Sequence, residues 1–255
     1  MVKRLVSVAL IGLVAASFAS ESGVLSVRAQ RSINAGKFAK GYSQLERALL
    51  ASRKEADLLS EGRVLITMAQ IRTMSLDLDF ADSLLSIVRT NVLDKNTSTA
   101  FAKVKVALAN ARENYTDGAK ICAGANPDSV KKSDDATRGA FYSECAVAYA
   151  GARQNDRAEE ALNLVGKATS KSGGFYAYTK AQMASLNNSS EADSLYREAE
   201  KKAIQGNKPY ITATILYKRS QLKTTPKSEA EDLKLRCKNA FELMGLPNNS
   251  KKCAE

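Results

Sequence analysis

A chain of 255 residues without a single histidine excludes histidine triads, cysteine–histidine pairs and histidine metal sites. Four prolines, no tryptophan and an abundance of Ala, Leu, Lys and Glu favour helix, and no long β-branched alternating run points to a sheet. The net charge of +11 can draw anionic partners by an attraction that salt weakens, although basic residues scattered among acidic ones also describe an ordinary solvated surface.

The first nineteen residues have the three parts of a secretory signal of bacterial type. Lys3 and Arg4 give the positive start, Leu5 to Ala16 the apolar core, and Ser17, Phe18 and Ala19 a cleavage site after Ala19. The core is shorter than the roughly 20 residues a membrane span needs, and no later stretch is apolar enough to span. The expected mature chain is therefore exported, periplasmic or extracellular, with no transmembrane segment. It divides into a helical domain over 20–244 and a C-terminal tail over 245–255.

From residue 20 onward a pair of helices recurs. The first unit has Ala29 mid-helix, a turn at Asn34 to Lys37, then Gly41, Leu45 and Ala48 on one face of the second helix. The second has Ala69, then Ala81, Leu85 and Val88. The third runs through Ala102 to Ala111, then Gly118, Cys122 and Ala125. The fourth has Ala148, a turn at Gln154 to Asp156, then Ala161, Val165 and Ala168. The fifth has Ala181, a turn at Asn187 and Asn188, then Ala192, Tyr196 and Ala199. The sixth has Ala213, a loop through Thr224 to Pro226, then Ala230 in a last helix from about Ser228 to Met244.

Offsets of three and four put these residues on one helical face. Small residues there let two helices approach closely. One such pair cannot bury its own apolar face, so neighbours must stack. The recurring small residue at positions 41, 81, 118, 161, 192 and 230 gives a period of the size found in stacked helix–turn–helix repeats.

The runs Ala35-Gly36-Lys37-Phe38-Ala39-Lys40-Gly41 and Gln154-Asn155-Asp156-Arg157-Ala158-Glu159-Glu160-Ala161 resemble the turn into the second helix of the tetratricopeptide family. Ala125-Asn126-Pro127 resembles its end-of-repeat proline. No unit has that family's tryptophan, most lack the closing proline, and the spacing often exceeds its usual 34 or so residues. The resemblance covers nearly all of residues 21–244. It implies an all-α fold: an α-solenoid of about six stacked antiparallel helix pairs in a right-handed superhelix.

Four cysteines in an exported chain suggest two disulfides, with four buried thiols as the alternative; their spacing is not that of a metal site. The stacking favours nearest neighbours among the three possible pairings. Cys122 in the second helix of unit three would meet Cys145 in the first helix of unit four. Cys237 in the last helix would pin Cys253 of the tail across the exposed end of the stack.

No Gly-rich phosphate loop is present, and no spacing singles out a Ser–Lys dyad. The carboxylate pairs Asp77 with Asp79 and Asp134 with Asp135 sit beside turns, where Asp is a normal helix cap. The expected function is thus non-enzymatic, with no cofactor and no metal: a scaffold binding a protein or peptide. In proteins of the resembled architecture, the first helices line a concave groove. Here that surface would draw on Arg72, Lys103, Tyr142, Tyr149, Tyr178 and Arg219, although such tyrosines are more often half-buried packing residues. The alternative is attachment to anionic lipids, cell-wall polymers or acidic proteins through residues 200–255, which hold 12 Lys or Arg against 6 Asp or Glu. Nucleic acid is not an expected partner outside the cell.

Overall fold

In the computed structural model, residues 20–255 are described; the expected signal segment, residues 1–19, lies outside them. The described residues form fourteen α-helices and one 3-10 turn, with no strand among them. In order these are α1 (Glu21–Asn34), α2 (Phe38–Lys54), α3 (Leu58–Met74), α4 (Leu78–Ser86), the 3-10 turn Thr90–Val92, α5 (Lys95–Ala111), α6 (Tyr115–Gly124) and α7 (Pro127–Lys132). Then come α8 (Asp135–Gly151), α9 (Asn155–Ala168), α10 (Gly174–Leu186), α11 (Ala192–Gln205), α12 (Pro209–Ser220), α13 (Lys227–Leu243) and α14 (Pro247–Ala254). No helix among the described residues is long and apolar enough to cross a membrane.

Helix ends follow from local chemistry. Side chains of Ser20, Asp57, Asp94, Asn114, Asn126 and Asp134 accept backbone N–H bonds at the starts of α1, α3, α5, α6, α7 and α8, satisfying donors that a helix start leaves free. Asp134 is thus the cap its position suggests. Asp77 and Asp79 instead pair with Arg72 and Arg112, and Asp135 pairs with Arg138.

One turn recurs in five hairpins. The second residue beyond the helix end is left-handed at Gly36, Leu76, Glu113, Arg153 and Asn188. The next N–H reaches back to Ser32, Arg72, Ala109, Tyr149 and Ala184, in each case at 2.9 Å. This is the Schellman closure of a helix C-terminus. The same turn links α2 to α3 through Ala56, at φ 52°.

Inside each hairpin the small residues lie at the contact. Ala29, Ala48, Ala69, Ala81, Ala148, Ala161, Ala181, Ala192 and Ala213 are all buried. A Cβ on Gly118 of α6 would sit 3.0 Å from the Cβ of Ala148 on α8, so glycine there sets how closely two pairs approach. The first helices touch in succession, α1 to α3, α3 to α5, α5 to α8 and α8 to α10, while α12 joins through α11. Side-chain bonds across these contacts span a near-constant separation. Lys103 bonds Gln70 33 residues away, and Arg63 bonds Thr97, Asn110 bonds Glu144, and Arg112 bonds the Leu78 carbonyl, each 34 residues away.

The stack has no exposed C-terminal end, contrary to expectation. α12 to α14 come round onto the first units. The Tyr210 hydroxyl donates to the Met74 carbonyl at 2.9 Å, Asn249 Nδ2 donates to the same carbonyl at 2.9 Å, and Asn248 Nδ2 reaches the Ser75 carbonyl at 3.2 Å. The Tyr210 ring lies between Phe38, 5.6 Å away, and Phe241, 5.8 Å away. One hydrophobic cluster therefore holds Leu25, Val64 and Val104 together with Ala213, Leu233 and Phe241.

Other details also depart from the sequence reading. The second helix of unit two stops at Ser86, before Val88; α7 intervenes between units three and four; and residues 247–254, expected as a tail, form α14. Both expected disulfides are present, with Cα separations of 5.7 Å for Cys122–Cys145 and 5.9 Å for Cys237–Cys253. The first joins α6 to α8. The second joins α13 to α14 and steadies the residues that reach α3, rather than pinning a tail across an open end.

Two predictions follow from these contacts. Ala56→Gly relieves a left-handed alanine at an exposed turn and should stabilise the protein by about 0.5–1 kcal/mol after the glycine's entropic cost; a lower denaturation midpoint would contradict this. Peptide mapping without reduction should recover Cys122–Cys145 and Cys237–Cys253, and Cys122→Ala with Cys145→Ala should cost about 2–4 kcal/mol in chemical denaturation.

Candidate functional site

The inner faces of α3, α5, α8, α10 and α12, with α14 beside them, line a cavity of about 270 Å³ that is partly open to solvent. Its lining follows helical spacing: Lys103, Ala107 and Asn110 on α5, Ala140, Ser143, Glu144 and Val147 on α8, and Phe175, Tyr178 and Gln182 on α10. Steps of three and four keep each set on one face.

Polar groups converge there. The Lys103 side chain is buried, and its ammonium donates to Gln70 Oε1 at 2.5 Å. Asn110 Nδ2 donates both to the Glu144 backbone carbonyl at 3.0 Å and to Glu144 Oε2 at 2.9 Å. Burial draws the Lys103 pKa down to about 8, with Glu144 pulling the other way. Burial raises the Glu144 pKa, against the Asn110 bond and Lys103. Tyr178 is pushed well above the usual phenol range by burial, then by Tyr196, Tyr210 and Glu144. At the α12–α14 side, Lys218 is lowered by burial and by the Lys252 ammonium, with Glu113 opposing.

Two of the six residues read from sequence line this cavity, Lys103 and Tyr178. The other four are engaged elsewhere. The Arg72 guanidinium packs over the Tyr42 ring at 4.0 Å and the Phe80 ring at 4.8 Å and pairs with Asp77 at 3.2 Å. Tyr142 and Tyr149 are half-buried against the second core cluster, with Arg157 5.8 Å from the Tyr149 ring centre. Arg219 is bonded to Asp193, Glu200 and Glu229 at 2.9, 2.8 and 2.7 Å, tying α11, α12 and α13 together.

The chain matches no protein-family model, no curated protein and no solved structure.

Sequence reasoning missed Gln70, Asn110, Glu144, Tyr210 and Lys218. A signal existed: Asn110, Glu144 and Tyr178 stand 34 residues apart in succession, all polar, on equivalent positions of consecutive first helices. Aligning first helices on that spacing would have fixed the inward face, whereas Tyr142 and Tyr149 lie one or two residues out of phase with it.

The buried ammonium should show in the pH dependence of stability. The folded protein releases the Lys103 proton near pH 8, while the unfolded chain holds it to about the ordinary value of 10.5. Between these the unfolded state binds more protons, so stability rises with pH. Below pH 8 both states are charged and the burial cost is present in full. From pH 8 to 10 the wild type should gain about 2 kcal/mol relative to Lys103→Met; parallel profiles in denaturant titrations would refute the buried charge.

Proposed function

We propose that this chain is an exported, non-enzymatic binding protein built of six tetratricopeptide-like helix pairs in a right-handed stack, and that it binds within the central cavity. The recurring Schellman turn, the small residues inside each hairpin and the 33- to 34-residue spacing of bonds between first helices support the repeat reading. The sequence of residues 1–19 and two disulfides support a periplasmic or extracellular site of action.

The observation that carries the binding reading is the inner face itself. In the resembled architecture that face is an open groove for a peptide. Here Tyr210, Asn248 and Asn249 tie α12 and α14 onto α3, so the face bounds a cavity of about 270 Å³. A mostly apolar enclosure with a few convergent polar groups is the usual form of a small-molecule site. A small molecule or a short chain end is the size of partner that this space fits. Binding without catalysis fits the lining, in which Glu144 is held by Asn110 and Lys103 by Gln70, with no nucleophile aligned on a base.

Attachment to an anionic envelope surface is the second reading: of the twelve basic residues in 200–255, four, Lys202, Arg219, Arg236 and Lys238, pair with Glu198, Glu200, Glu229, Asp232 and Glu242, and the other eight keep their charge for an anionic surface.

Ala107→Phe, on the cavity side of α5, tests the proposal. Native mass spectrometry of the protein isolated from its own envelope should detect a bound small molecule or short peptide, absent from the folded Ala107→Phe variant. Equal recovery of the same partner by both proteins would move the binding site to the outer surface.

A further inference from the structure

We propose that the cavity takes a small organic monocarboxylate with an apolar, aromatic-sized body, its carboxylate held by the Lys103 ammonium. This rests on the cavity being the binding site.

A lysine ammonium carries three donors. One of those of Lys103 goes to Gln70 Oε1. No carboxylate of the described residues lies within ion-pair distance of it, and the nearby acid, Glu144, is held by Asn110. An ammonium buried with a single amide partner is expensive for a fold to keep, and an apolar side chain in its place would pack at no such cost. A chain that retains the charge there gains by it only when an anion arrives.

A second pair of cations points the same way. Lys218 and Lys252 both line the cavity, and burial and then the Lys252 ammonium disfavour charge on Lys218. Neither forms an ion pair among the described residues, and Lys252 rests over the Tyr217 ring at 5.6 Å. The three lysines outnumber the two acids of the lining, Glu113 and Glu144, leaving a surplus of one positive charge. A monoanion balances that surplus, whereas a dianion would exceed it.

Size and lining set the rest of the molecule. A cavity of about 150 Å³ accommodates benzene, so 270 Å³ scales to roughly eleven non-hydrogen atoms. Phe175, Tyr178, Tyr210 and Phe241 line it and supply aromatic surface for an apolar body.

The test uses three probes of one shape: 3-phenylpropionate, its neutral amide and 3-phenylpropylamine, titrated into the mature protein by calorimetry up to about 10 mM, enough to detect millimolar affinity. We expect saturable binding of the carboxylate, at least about tenfold tighter than either analogue, and its loss in Lys103→Met. Thermal melting checks that this variant folds. Should it not, Lys218→Gln with Lys252→Gln, nearer the surface, should weaken carboxylate binding alone. Preference for the amine or the amide would overturn the anionic ligand and leave the cavity reading standing. Binding of none of the three would overturn both.

Discussion

The carbonyl of Met74 accepts two hydrogen bonds from the far end of the chain, one from Tyr210 and one from Asn249, and the architecture turns on that fact. The last turn of any helix leaves carbonyls with no intrahelical partner, and most helices here settle them locally through a left-handed turn. α3 does so as well, at Leu76, yet its final carbonyls also bind donors 136 and 175 residues away. A stack of first helices without that tie would be an open arc with a solvated inner face. With it, the Phe38, Tyr210 and Phe241 rings pack together, the first and last units share one apolar cluster, and the inner face becomes the wall of a cavity.

Regular units alone do not produce this closure. The recurring hairpin turn and small residues fix how each pair forms, but the departures from regularity fix how the pairs are arranged. α7 inserts six residues between units three and four, the α12–α13 connection runs through Thr224 to Pro226 in place of the common turn, and α14 extends the chain beyond the sixth pair. The Cys122–Cys145 bridge spans the first of these irregularities, and the Cys237–Cys253 bridge fastens α14, from which Asn248 and Asn249 reach α3. Covalent links thus stand at two of the irregular connections.

What the sequence made legible follows from the same division. Ala29, Gly41, Ala81, Ala148 and Ala192 announced helix pairing because close approach demands small side chains at fixed offsets. The nearest-neighbour disulfides were legible because stacking puts α6 beside α8. Turns were legible only in part. Gly36 and Asn188 suit a left-handed backbone, whereas Leu76, Glu113 and Arg153 adopt it with no local signal, each held by the Schellman bonds around it. Closure was hidden, since contacts between residues 74 and 249 leave no periodic trace. The inward face was only half visible: Lys103 and Tyr178 were found because they are conspicuous, while Asn110 and Glu144 needed the 34-residue register to be recognised.

Two buried cations, Arg219 and Lys103, differ in how their charge is met among the described residues. Arg219 has three carboxylates within 2.9 Å, on helices α11 and α13, and its planar fork directs a donor at each. Those bonds recover much of the desolvation cost of charge, worth about 1.5–3 kcal/mol apiece when a charged group takes part, and the arrangement is complete within the chain. Lys103 is as deeply buried but has one neutral amide partner and a carboxyl that is already engaged. Its charge faces a cavity rather than a counter-ion. A fold has no structural use for such a group, because methionine would fill the same volume without the penalty. Arg219 is thus matched by three carboxylates in direct contact, whereas Lys103 has Gln70 in contact and Glu144 only as a more distant counter-charge.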